Sequence, residues 1–205
     1  MYETVAQISG QGYYLRRLCL GEHSSTHMNS PASFHQGGLS IDAYVAESLV
    51  VPAVVIDVRD RTESSPDYCL TCEDLQDWER EFGVVPTGSV VLLYTGWQDR
   101  WDRLEEFFNQ DDSGRFHFPG FGPEAARFLL EQRQVAGTGI DTHGVDGGQD
   151  ETFAVNRLVL EQPRIVLENL TNLDQLPATG ATLVIGILRL KGGSGSPTSV
   201  LALVP

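Results

Sequence analysis

No run of apolar residues in this chain approaches the roughly 20 that a membrane-spanning helix needs, so no helical span is expected. The opening Met1-Tyr2-Glu3-Thr4 lacks the basic and apolar regions of a secretory leader, which predicts a cytoplasmic protein. Basic side chains are scarce: 14 Lys and Arg stand against 28 Asp and Glu, a net charge of −14. Such a chain repels phosphate backbones and anionic bilayers, so neither nucleic acid nor a membrane is an expected partner and a small-molecule substrate is. Cysteine is also sparse. Three of them, an odd count, are awkward for a secreted disulfide framework and ordinary for a reducing compartment. Cys69 and Cys72 form a C-x-x-C without the second pair a structural zinc site requires, and Thr71 with Asp74 reads instead as a helix-capping pattern. Gly137-Thr138-Gly139 lacks the third glycine of a dinucleotide-binding fingerprint.

What remains is a chain of 205 residues, 41% hydrophobic, enough for a single domain over 1–205. Strands alternate with helices, which makes this an α/β protein. Residues 53–58 and 89–94 read as buried strands, as do 164–167, 181–190 and 200–204. Residues 12–20 predict a strand leading straight into the segment that follows. Helices are expected near 41–46, over 72–81, around 101–109, over 124–132 and over 153–162. The aromatics Trp101, Phe107 and Phe108 read as core. Gly192-Gly193-Ser194-Gly195-Ser196-Pro197 reads as a flexible turn.

The chemistry concentrates between Gly21 and Phe34. In an extended segment His23, His27, Asn29 and Ser33 share one parity and point at one volume, and Pro31 argues against a helix there. Glu168 follows a strand and joins the candidates. His143, in the loop after Gly139-Ile140-Asp141-Thr142, is either a catalytic or substrate-contacting group or a surface histidine. His117, between Phe116 and Phe118, reads as structural.

Several segments in order resemble one family. Gly21–Phe34 resembles the H-x-G-T-H-x-D-x-P-x-H-F signature of the cyclase family of metal-dependent hydrolases, which includes bacterial kynurenine formamidase and isatin hydrolase. Val90–Trp97, Phe118-Pro119-Gly120, Gly139–Thr142, Leu167–Leu173 and Gly192–Pro197 agree with it. The resemblance implies a swivelling β/β/α domain and a homodimer or larger homo-oligomer. It also implies an ion held by His23, His27 and Glu168, while the family's aspartate is Asn29 here, its base is Ser33, and its later histidine is Asn156. His35 replaces that base only if the backbone kinks. The 22 residues before His23 are fewer than relatives carry, so the pocket is expected to be open or closed by a partner subunit.

The reduced ligand set leaves two states open: one divalent ion, zinc or manganese, or none. Without an ion, His23 and His27 serve as acid and base, Glu168 orients an imidazole, and Asn29 and Asn156 bind a carbonyl, with Ser33, His35 and His143 as further contacts. Carbonyl chemistry on a small aromatic or polyketide-like metabolite of secondary metabolism is the leading expectation, meaning ring closure, dehydration or isomerisation. A metal-dependent amide or lactone hydrolase and a non-catalytic binding subunit are the alternatives.

Overall fold

Uninterrupted apolar runs such as Val54-Val55-Ile56 and Val90-Val91-Leu92-Leu93 have no polar face, so they are stable only when covered on both sides. The computed structural model, which describes every residue from Met1 to Pro205, covers them by closing a barrel and laying helices on its outside. In chain order the elements are β1 (Tyr2–Ala6), α1 (Ile8–Gln11), β2 (Leu15–Leu18), β3 (His27–Asn29), β4 (Val50–Asp57), α2 (Arg59–Thr62), β5 (Cys69–Leu70), α3 (Cys72–Phe82) and β6 (Val90–Tyr94). Then follow α4 (Leu104–Phe108), β7 (Gly120–Phe121), α5 (Pro123–Phe128), β8 (Gly137–Ile140), α6 (Ala154–Val159), β9 (Ile165–Glu168), β10 (Ala181–Ile187) and β11 (Gly195–Leu203).

The barrel order is β10-β11-β3-β9-β8-β6-β4, closing on β10. Its β4-β6-β8-β9 wall is parallel, whereas β10, β11 and β3 run antiparallel to their neighbours. Alternation splits each strand between two cores. Met28, Ala53, Val55, Leu92, Leu167 and Leu183 pack together inside the barrel, while Val54, Ile56, Val91, Leu93 and Val166 pack outward against Leu75, Trp78, Leu129 and Val159. Gly137 is glycine because a Cβ there would sit 1.9 Å from the Ile165 carbonyl oxygen across the β8–β9 seam. No helix is long and apolar enough to cross a membrane.

The capping pattern at Thr71 forms as read: its hydroxyl accepts from the Asp74 amide, and the Asp74 carboxylate accepts from the Thr71 amide. Elsewhere the elements depart from expectation. The strand expected over 12–20 forms at Leu15–Leu18, but it pairs with β1 in a hairpin separate from the barrel and does not lead into the histidine segment. Only His27–Asn29 is extended there, because Pro31 starts a 3-10 turn over Pro31–Ser33 and takes Ser33 out of the shared parity. The helix expected at 41–46 is a 3-10 turn over Ile41–Ala43. From Gly195 onward the supposedly flexible turn is a strand, paired with His27–Asn29.

Candidate active site

β3 has three residues, and Met28, the middle one, points into the barrel core. His27 and Asn29 therefore face outward together. His27 lies opposite Glu168 of β9, and Asn29 lies opposite Gly195 of β11. Directly opposed residues share a face of the sheet, which brings His27 Nε2 to 3.0 Å from Glu168 Oε2, with both side chains less than a tenth exposed. Burial pulls the His27 imidazole down, but the hydrogen bond and charge of Glu168 outweigh it and the net direction is up. Glu168 is the mirror image: burial pushes its carboxyl up, and His27, Asn156 and the Val145 amide carry it below its ordinary value.

Around this pair runs a hydrogen-bond chain whose directions are fixed by groups that can only accept. Asn156 Nδ2 donates to Asp146 Oδ2 at 2.8 Å and to Glu168 Oε1 at 3.1 Å. Its Oδ1 then accepts from Asn29 Nδ2 at 3.1 Å, and Asn29 Oδ1 is left facing His23 Nδ1 at 2.8 Å, so that nitrogen is a donor. At the far end Glu22 accepts from the Ser194 amide and hydroxyl, at 2.8 and 2.7 Å. The Ser194 oxygen therefore accepts from His23 Nε2 at 2.9 Å. His27 Nδ1 donates to the Ser25 carbonyl at 2.8 Å. All four imidazole nitrogens are engaged by protein acceptors.

That settles how the set suits an ion. A metal ligand needs a lone pair aimed at the ion, and each imidazole nitrogen here is turned towards a protein oxygen, so an ion would have to displace these contacts. His23, His27 and Glu168, expected to ligate together, form no ion-binding group, and neither does any other set of three His, Cys, Asp or Glu side chains. The residues as placed do not fit a resident divalent ion.

A cavity of about 770 Å³ opens over these groups. Its apolar wall comes from Trp101, Phe107, Phe108, Phe116 and Phe118, so these aromatics of the 101–109 segment line a pocket as well as packing. His143 sits among the phenylalanines, its ring centre 4.0 Å from that of Phe118 and 5.3 to 5.5 Å from those of Phe107, Phe108 and Phe116. Neither of its nitrogens has a hydrogen-bond partner. Burial pulls its imidazole down to about 4, so at neutral pH it carries one N–H and one lone pair. Asp146 lines the same cavity and holds the first turn of α6 through the amides of Val155 and Asn156. Burial pushes its carboxyl up to about 6, against the hydrogen bonds from Asn156 and Val155.

Backbone strain gathers here as well. Ser25, Phe153 and Asn169, all on the cavity wall, adopt left-handed conformations at φ 55°, 57° and 58°. For Phe153 this is costly, and such residues persist where the surroundings hold them. A second cavity of about 730 Å³, beside Asp57, Arg59 and Tyr94, contains no buried polar atom that lacks a partner.

The cavity thus brings together His23, His27, Asn29, Ser33, His143, Asn156 and Glu168. His35 stays out of this cavity: its Nε2 lies 2.9 Å from the Arg157 carbonyl. The Ser33 hydroxyl donates to the Ser194 carbonyl at 2.6 Å, which ties it down rather than freeing it as a base. His117 is structural as expected, its Nδ1 2.8 Å from Asp67 Oδ2. Glu22 and Ser194 lie within the Gly21–Phe34 and Gly192–Pro197 segments but are not singled out there, and the signal for Asp146 is that it follows the carboxyl end of a parallel strand, where sites tend to form.

Ser194 is also a hinge pin for the site, since Gly195 is needed beside it: a Cβ there would lie 2.6 Å from His23 Cε1. Ser194→Ala should lower stability by about 1–2 kcal/mol, through loss of the hydroxyl between Glu22 and His23. Urea denaturation measures it, and an unchanged midpoint would contradict this account of the chain.

Comparison with known proteins follows the same lines. The family model "Cyclase: Putative cyclase" matches residues 2–147. An isatin hydrolase of Roseibium aggregatum is 35% identical over 196 residues, covering 92% of this chain and 74% of the relative. The structure of isatin hydrolase A from Ralstonia solanacearum superposes with a TM-score of 0.93 at 36% identity, covering all of this chain and 81% of that one. A second structure, an isatin hydrolase bound to the product analogue thioisatinate, gives a TM-score of 0.91 at 32% identity over 100% of this chain and 81% of that one.

Proposed function

This chain belongs to the cyclase family, and from that premise we propose that it hydrolyses the cyclic amide of a flat aromatic molecule of the isatin type. The observation that carries the reading is His143, an imidazole with both nitrogens unpartnered inside a box of four phenylalanines. A flat ring fills such a box by stacking and edge contacts, and a carbonyl on that ring relieves the bare N–H. The relatives' activity on isatin and the thioisatinate complex support the substrate class.

In this mechanism His143, neutral above about pH 4, donates its N–H to the carbonyl oxygen and steadies the negative charge that grows there. Asp146, near pH 6 in its titration, is suited to act as the base. Its carboxylate accepts a proton from water as the water oxygen bonds to the carbonyl carbon. The C–N bond then breaks, and the proton passes to the departing ring nitrogen. The buried His27–Glu168 pair and the amides of Asn29 and Asn156 hold this wall in register.

The test is isatin supplied to the purified protein, with ring opening followed by absorbance and by the mass of one added water. Turnover is expected to rise with pH through about 6, as Asp146 ionises. His143→Phe should keep the fold and lower kcat/KM by roughly 10²-fold. No turnover of isatin or related cyclic amides, or a His143→Phe variant as active as the parent, would remove the proposal. A second reading, ring closure, dehydration or isomerisation of an aromatic or polyketide-like metabolite of secondary metabolism, draws on the tethered Ser33 and the amide at Asn29. A product with the substrate's mass or one water less would favour it.

A further inference from the structure

We propose that the cavity has a second aromatic subsite, a shelf made by Phe34 and Phe153, and that its preferred substrate is a cyclic amide bearing a further aromatic ring that is neutral or cationic. The inference rests on the hydrolase reading above and extends it to the part of the substrate that does not react.

The rings on the cavity wall fall into two groups. Phe107, Phe108, Phe116 and Phe118 form a continuous run around His143. Phe34 and Phe153 pair with each other instead, their centres 5.6 Å apart and their planes tilted by 43°. Different cores support the two groups: Phe107 and Phe118 pack with Trp97, whereas Phe34 packs on the outer core that includes Val155 and Val159. Asp146 joins them, because the carboxylate that serves the reacting carbonyl also accepts from the Val155 and Asn156 amides, just past Phe153. A fused bicycle seated in the box around His143 leaves much of the cavity of about 770 Å³ unfilled, and cavities of this size take drug-sized molecules.

Phe153 is held in place at a cost. Its backbone sits at φ 57° and ψ 43°, a region that disfavours a bulky side chain. The Asp150 carboxylate fixes it from both sides, accepting from the Thr152 amide at 2.7 Å and from the Ala154 amide at 3.0 Å. What this strained turn presents to the cavity is a ring still 49% exposed, an open face on which a flat substrate ring gains both burial and stacking. Charge sets a further condition. Asp146, Asp150, Glu151 and Glu168 line the cavity and no lysine or arginine does, so a ring bearing a carboxylate or sulfonate is repelled.

The test compares isatin with N-benzylisatin and with isatin phenylated on its benzo ring. At least one arylated compound should exceed isatin about tenfold in kcat/KM, with most of the gain in KM, since the second ring is bound equally before and during reaction. Phe153→Gly suits the left-handed backbone and so keeps the fold while removing the ring. In it, the ratio of kcat/KM for that compound to kcat/KM for isatin should fall about tenfold. Phe34→Leu, which leaves an apolar side chain on the outer core, should lower the same ratio. Isatin hydrolysed as well as both arylated compounds, or a ratio unchanged in both variants, would overturn the subsite and leave the reaction standing. If none of the three is hydrolysed, the reaction falls and calorimetry decides the subsite. An arylated compound that binds the parent about tenfold tighter than Phe153→Gly upholds the shelf, and equal constants or no binding overturn it.

Discussion

Glu168→Ala should destabilise the protein by about 3–5 kcal/mol, the cost of leaving one member of a buried ion pair alone. The loss has three parts in this site: His27 Nε2 loses its partner at 3.0 Å, the Val145 amide loses its acceptor at 3.0 Å, and Asn156 Nδ2 loses one of two. Glu168→Gln keeps an oxygen for the two amides and should cost clearly less. Urea denaturation of both variants decides the matter, and equal losses would mean that the lost charge accounts for the whole effect and the acceptor for the two amides contributes little. pH adds a second check. Glu168 is held below its ordinary 4.5, so its contribution is complete above that value and is lost as pH falls through the folded value. His27 is held above its ordinary 6.5, so its contribution is complete below that value and is lost as pH rises through the folded one. The pair therefore contributes fully between about pH 4.5 and 6.5. Asp141 and Asp146, both raised to about 6, act in the opposite sense, since their buried charge costs stability as pH rises from about 4 to 6. The difference between the parent and Glu168→Gln isolates the pair from them.

Asn29→Asp should turn this site into one that takes up about one zinc or manganese per chain. A carboxylate at position 29 has no N–H for Asn156 Oδ1, so the directed chain breaks, and it meets His23 Nδ1 as an acceptor beside His27 and Glu168. His23 and His27 then have reason to release protons to an ion, and two imidazoles with two carboxylates make a familiar set of ligands. Elemental analysis of the parent and the variant, each dialysed against zinc and manganese, reads the uptake. A thermal shift on adding the ion reads it again, because an ion at 100 times its dissociation constant stabilises by about 2.7 kcal/mol. A parent protein that binds as much metal as Asn29→Asp would refute the account of the site given above.

Much of the fold was legible because it rests on local pattern. The apolar runs at 53–58 and 89–94 have no polar face and became barrel strands, and Thr71 with Asp74 capped a helix from Cys72. Candidate residues far apart in sequence proved to line one cavity, since the motifs that carry them lie in order along strands that the barrel brings side by side. His35 was misread for a local reason: position beside a lost base says nothing about which way the chain turns after Pro31. The aromatics at 101–109 show the limit of periodicity, which reports that a face is apolar and not whether protein or substrate covers it.

The sequence by itself determined the alternation of strand and helix, the acidic surface and the identities of the histidines, because these follow from residue type and nearest neighbours. Tertiary structure decided what those histidines can do. Pairing of β3 between β9 and β11 set His27 against Glu168 and Asn29 against Gly195, and only then could Glu22, Asp146 and Glu168 fix the direction of every hydrogen bond between them. Folding around His143 made a box of phenylalanines from segments up to 36 residues away in sequence, counted from Phe107. Direction of donation and desolvation are properties of the assembled site, and no single stretch of the chain contains them.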